Sequence, residues 1–107
     1  MKENMPRIIT LCGSTKFKKE INEVNARLTL EGFLVISLGV FGHTDMPDYD
    51  WTTSGNELKR KLDELHRRKI DLADGVYVVN VGGYIGESTM GEIDYARAQG
   101  KPVRFLE

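Results

Sequence analysis

Two short segments carry residue types suited to holding and transforming a small ligand. The first is CGSTKF, residues 12–17. Gly13 permits a tight exit from a strand ending at Cys12. Ser14 and Thr15 then offer hydroxyls and backbone N–H groups where a helix begins, a natural anion site. Lys16 adds a positive charge. The spacing is neither that of a Walker loop nor that of a dinucleotide fingerprint, and Ser14 or Thr15 can equally serve as a helix cap. The second segment is GGYIGESTMGEIDYA, residues 82–96. Gly86 and Glu87 lead into Ser88 and Thr89 where another helix begins, with Glu92 expected in its first turn. A carboxylate there can attack an electron-poor carbon or orient a ribose hydroxyl. Thr89 and Glu92 also have the T-x-x-E spacing of a capping box, so spacing alone does not make Glu92 a nucleophile.

Other candidates carry less. Residues 39–55 form a long stretch of the kind that supplies lids and binding loops. It holds His43, Asp45, Asp48 and Asp50, but these lack the fixed spacing of a metal site, and Asp is a common turn residue. No metal or cofactor is expected. Tyr49 and Trp51 suit either stacking on a base or anchoring the loop. Arg60, Lys61, Arg67, Arg68 and Lys69 are interspersed with acidic residues, which fits a solvated helix face. Asp74 is read as a turn residue.

The elements that must position these groups follow from pattern. Arg7 to Cys12 is a β-branched apolar run between turn residues, hence a buried strand. Phe17, Ile21, Val24 and Leu28 mark one face of a helix that Gly32 stops. Phe33 to Leu38 is a second strand. Ser54 and Glu57 have capping-box spacing, and Leu58, Leu62, Leu65 and Leu72 extend a helical stripe to about Ala73. Val76 to Val81 is a central parallel strand. Met90, Ile93 and Ala96 or Arg97 share a helix face ended by Gly100 and Pro102, and Val103 to Leu106 is the last strand. Alternation of this kind predicts parallel strands joined by right-handed crossovers. The expected fold is therefore α/β, a three-layer Rossmann-like (flavodoxin-like) domain with a parallel sheet of four to five strands in order 2-1-3-4. Its ligand site should lie beyond the carboxyl ends of the strands, between the first and third.

Bulk composition narrows the function classes. A chain of 107 residues fits one domain, 1–107. Its net charge of -1 gives no electrostatic reason to expect a nucleic acid polymer or an anionic membrane as partner. The single Cys12 cannot form an internal disulfide, and its place in an apolar run fits a reducing compartment. Met1 to Pro6 lacks the apolar run of a signal peptide, so a cytoplasmic location is expected. A narrow sheet with exposed edges and a modest core favours a homodimer or higher homo-oligomer.

CGS at 12–14 and ADGVYVV…GEST-MGEIDYARAQGKPV at 73–103 are similar to the nucleoside 2-deoxyribosyltransferase superfamily, which includes the deoxynucleoside 5′-monophosphate N-glycosidases. The resemblance implies that Glu92 attacks C1′ of the sugar, displacing the base through a glycosyl-enzyme intermediate. It implies that Ser14, and Ser88 or Thr89, help to bind a 5′-phosphate. The substrate-binding set is then Cys12, Gly13, Ser14, Thr15, Gly86, Glu87, Ser88 and Thr89, with a small-molecule nucleoside or nucleotide as partner. Two positions depart from the family pattern. Thr10 stands where an aromatic residue is frequent, and His66 where an aspartate assists the nucleophile. A histidine there can hydrogen-bond Glu92 or protonate the leaving base, or be a solvated helix residue. The alternatives are a non-catalytic nucleotide-binding or regulatory module, and a phosphoribohydrolase of the cytokinin-activating type, whose G-G-x-G-T-x-x-E motif is approached by Gly82, Gly83 and T-x-x-E at 89–92 with a longer spacing.

Overall fold

Strand β1 (Ile8–Cys12) is followed by a 3-10 turn (Thr15–Phe17), helix α1 (Lys18–Leu30), strand β2 (Leu34–Ile36) and helix α2 (Gly55–Leu72). Strand β3 (Gly75–Val78), a second 3-10 turn (Val81–Gly83), helix α3 (Glu87–Ala98) and strand β4 (Val103–Phe105) complete the order. The computed structural model describes residues 5, 7–42, 45, 48 and 55–107, with backbone alone at 55 and 56. His43, Tyr49, Asp50, Trp51 and Ser54, singled out above, lie outside the described residues.

The four strands form one sheet in the order β2-β1-β3-β4, and every neighbouring pair is parallel. This is the expected Rossmann-like arrangement. The chain reverses direction of travel across the sheet between β1 and β3, so their carboxyl ends open onto a crevice.

Alternation along β1 decides what faces what. Leu11 points to the layer containing α1 and packs with Ile21, Val24, Leu28, Phe41 and Val79. Cys12 points to the opposite layer and packs with Ile70 of α2 and with Ile93 and Ala96 of α3. Thr10, two residues before Cys12, shares that second face, where its hydroxyl donates to the Lys69 carbonyl at 2.8 Å. The position where the resemblance expects an aromatic residue thus ties β1 to α2 by a part-buried hydrogen bond. Helix α1 stops where Gly32 takes φ of 101°, a conformation that disfavours side chains.

Ile21 is fully buried between α1 and the sheet. Ile21→Ala is expected to lower unfolding free energy by about 2–5 kcal/mol, read as an earlier urea midpoint with an unchanged slope.

Two helix faces differ from the pattern reading. In α2 the buried residues are His66 and Ile70, while Leu62, Leu65 and Leu72 are exposed by 37%, 49% and 68%. Helix α2 docks on β1 and α3 through its 66/70 flank, and the leucines turn toward the cavity described below. In α3 the buried face is Thr89, Ile93 and Ala96, whereas Met90 is largely exposed. No helix among the described residues is long and apolar enough to cross a membrane.

Candidate functional site

The crevice at the strand ends is a cavity of about 780 Å³, within the usual range for small-molecule sites. Gly13, Ser14 and Thr15 line one side, Gly86, Glu87, Ser88 and Thr89 another, and His66 and Glu92 lie between. Of the residues singled out for this site in the sequence, Cys12 alone does not line it. It is completely buried behind His66 and Glu92.

Each loop is fixed by local chemistry. A Cβ on Gly13 would meet the Val79 carbonyl oxygen at 3.1 Å, a tight contact, so the missing side chain eases the close approach of β1 and the chain beyond β3. Ser14 caps the 3-10 turn, its Oγ accepting from the Lys16 N–H at 3.3 Å. Lys16 lies 3.5 Å above the centre of the Tyr84 ring, and Phe17 meets the same ring edge-on at 5.9 Å. These contacts join the two ligand-facing loops. Asn80 fixes the second loop from behind, donating to the Glu107 carbonyl and accepting from the Glu107 N–H.

Helix α3 starts one turn earlier than the T-x-x-E spacing suggests. Its N-cap is Gly86, with no side-chain cap bond, and its first residue is Glu87. Thr89 and Glu92 therefore do not form a capping box. Glu92 sits in the second turn rather than the first, deep enough to reach the end of β1.

There the carboxyl meets two other groups. His66 Nε2 lies 3.5 Å from Cys12 Sγ and 3.7 Å from Glu92 Oε1. Burial raises the Glu92 carboxyl to about 7, reinforced by nearby Asp63 and opposed by the Cys12 hydrogen bond, Arg67 and Lys59. Burial, with Lys69 nearby, depresses His66 to about 4, opposed by a hydrogen bond to the Leu11 carbonyl and by Asp63. Burial also holds the Cys12 thiol well above its usual range. The His66–Glu92 contact has ion-pair distance, yet at neutral pH the imidazole is uncharged and the carboxyl is close to half-ionised. His66 thus lacks the imidazolium proton that donation to a leaving base calls for.

Helix α2 contributes more to the site than the sequence reading gave it. Lys59 donates to Ser88 Oγ at 3.0 Å and to Asp63 at 3.1 Å, placing an ammonium at the cavity wall. Lys69, grouped above with a solvated face, instead folds inward and donates to the Ser37 carbonyl at 2.9 Å. The signal was the i, i+4, i+7 spacing of Lys59, Asp63 and His66, one helix flank carrying three ionisable groups. Asp45 of the long loop accepts from Lys18 at 2.7 Å and from the Phe41 N–H at 2.9 Å, so its carboxylate serves the loop. Asp74 accepts from the Ile8 N–H at 2.7 Å, as a turn residue does.

Neither a protein-family model nor a curated protein matches the sequence. Among solved structures, a 2-deoxyribosyltransferase from the psychrotolerant bacterium Bacillus psychrosaccharolyticus superposes with a TM-score of 0.64 at 19% identity. The match covers 92% of this chain and 70% of that one. At this identity the likeness establishes a shared fold: the chain is built as that 2-deoxyribosyltransferase is built, over nearly its whole length.

Proposed function

We propose that this protein cleaves or transfers the N-glycosidic bond of a nucleoside or nucleoside 5′-monophosphate, with the Glu92 carboxylate as nucleophile. The observation that carries this reading is the position of Glu92. A shielded carboxyl faces a nucleoside-sized cavity that offers hydroxyls at two helix starts on one side and the leucines of α2 on the other. The fold shared with a 2-deoxyribosyltransferase supports the same chemistry.

In the first step a Glu92 oxygen forms a bond to C1′ while the C1′–N bond breaks. The bonding pair leaves on the base, which takes up a proton from solvent. The transition state is oxocarbenium-like, so an anion held against it both stabilises and traps it. Water then attacks C1′ and gives the free sugar, or a second base attacks and gives a new nucleoside. Glu92 is regenerated either way.

The test is incubation of chelator-treated protein with ribo- and deoxyribonucleosides and their monophosphates, with and without a second base, followed by chromatography. Base release absent from Glu92→Gln supports the reading, and exchange exceeding release makes the protein a transferase. Ligand binding without turnover in either protein overturns it in favour of a binding module. Free ribose 5-phosphate released from a ribonucleotide, with the deoxyribonucleosides and their monophosphates left intact, points to a phosphoribohydrolase.

Lys59 provides the test for a phosphate. Its ammonium shares Ser88 Oγ with the cavity. If the substrate carries a 5′-phosphate, Lys59→Met raises KM for the monophosphate by about tenfold or more, the size of a lost charge-assisted hydrogen bond. KM for the unphosphorylated nucleoside stays unchanged.

A further inference from the structure

We propose that Cys12, His66 and Glu92 bind one Zn²⁺ ion, with its fourth coordination position open to the cavity. One ligand atom from each residue lies within 4.8 Å of the other two. The sulfur–nitrogen separation matches what one tetrahedral ion needs, and the carboxylate oxygen lies somewhat further out. With Zn–S of about 2.3 Å and Zn–N of about 2.0 Å, a tetrahedral angle places sulfur and nitrogen about 3.5 Å apart. Sγ and Nε2 are 3.5 Å apart, and Nε2 and Oε1 are 3.7 Å apart. An ion among the three atoms draws the Glu92 carboxylate inward toward Cys12 and His66.

The donors come from β1, α2 and α3, which pack against one another in one core, so the triangle is held by the fold rather than by a loop. Nε2 is the ring nitrogen that faces Cys12 and Glu92, and zinc takes it with the ring proton on Nδ1. Thiolate, imidazole and carboxylate together form a zinc donor set, and three protein ligands with one open position is the arrangement of a reactive rather than a closed structural site.

The charges balance. Zn²⁺ enters through the cavity past His66 and Glu92. The Cys12 thiol releases its proton to solvent, as does Glu92 where it is protonated, while His66 binds uncharged. A thiolate and a carboxylate then neutralise the ion in a site that burial has made hostile to isolated charge. Zn²⁺ takes Glu92 as a ligand, so the loaded protein is the inactive form in glycosyl transfer and a chelator restores turnover.

Co²⁺ is the probe, titrated into metal-free protein and followed by absorption. The expected result is one equivalent per chain, with tetrahedral visible bands and a thiolate-to-cobalt charge-transfer band, both displaced by Zn²⁺. Cys12→Ser removes the charge-transfer band, and His66→Gln weakens binding at least tenfold, with circular dichroism confirming the fold of each. If Cys12→Ser does not fold, the His66→Gln spectrum and affinity decide alone. Absence of the charge-transfer band from the unaltered protein, or spectra and affinity unchanged in the variants, overturns the proposal. The readout is spectroscopic and independent of turnover, so its failure leaves the glycosyl reading standing, and a silent substrate panel leaves the metal site standing.

Discussion

Glu92→Gln is expected to lose base release by about 10³-fold or more in kcat, as loss of a nucleophile does, while the folded protein becomes more stable at alkaline pH. Both effects come from one cause. The carboxyl is shielded from water, which raises it from an ordinary 4.5 to about 7. A raised carboxyl means that the native state prefers the protonated form. The cost of ionising it is absent below about 4.5, where folded and unfolded chains both hold the proton. It grows between 4.5 and 7 and is complete above 7. At about 1.4 kcal/mol per pH unit, the full cost is about 3 kcal/mol. Glutamine keeps the shape and never ionises. Urea unfolding of chelated protein should therefore find the variant more stable at pH 8 and equal to the parent near pH 4. Equal stability at both would mean that the carboxylate is solvated, and the nucleophile reading would lose its electrostatic basis. Activity should show the complementary limb. Since the ionised form attacks, kcat/KM of the chelated protein should fall tenfold per unit as pH drops below about 7.

The sheet order was legible in the sequence because each apolar run is short, β-branched and separated from the next by a helix-length segment. That pattern leaves parallel crossovers as the workable connection. The two ligand loops were legible for the same reason, since the switch point follows from strand order. The docking face of α2 was not. Leu58, Leu62, Leu65 and Leu72 give the stronger apolar signal, yet His66 and Ile70 are the buried residues. Periodicity identifies an amphipathic helix, but the side that meets the sheet is set by what the neighbouring elements leave uncovered. The convergence of Cys12, His66 and Glu92 was legible only in pieces. The resemblance already sets His66 beside a nucleophilic Glu92, whereas Cys12 reads as a small buried strand residue next to the ligand loop, with nothing to bring its thiol to the other two. Their meeting depends on Cys12 being the last residue of β1 with its side chain toward α2 and α3, a matter of pleat phase. The start of α3 is masked in the sequence because Thr89 and Glu92 mimic a cap, whereas the backbone enters the helix at Gly86.

His66 gives the second large effect, and it separates positioning from proton donation. Burial and Lys69 hold the imidazole near 4, against an ordinary 6.5. The native state therefore prefers the neutral ring. Stability is fully present above 6.5 and is lost as pH falls toward 4, because the unfolded chain gains a proton that the native state refuses. At pH 5 the loss is about 2 kcal/mol. His66→Gln removes this sensitivity. Whatever the change costs in packing, the difference in unfolding free energy between chelated variant and chelated parent should move by about 2 kcal/mol in favour of the variant between pH 8 and pH 5. A constant offset would mean that the ring titrates normally. Catalysis should respond differently. A neutral ring 3.7 Å from Glu92 Oε1 acts by orienting the carboxylate, so kcat should fall by about 10²-fold with KM little changed. If His66 were the proton donor, the parent would lose activity as pH rises through the histidine range and the variant would not. With the ring held neutral there, the parent's activity should instead rise through neutrality, since the ionisation that matters is that of Glu92.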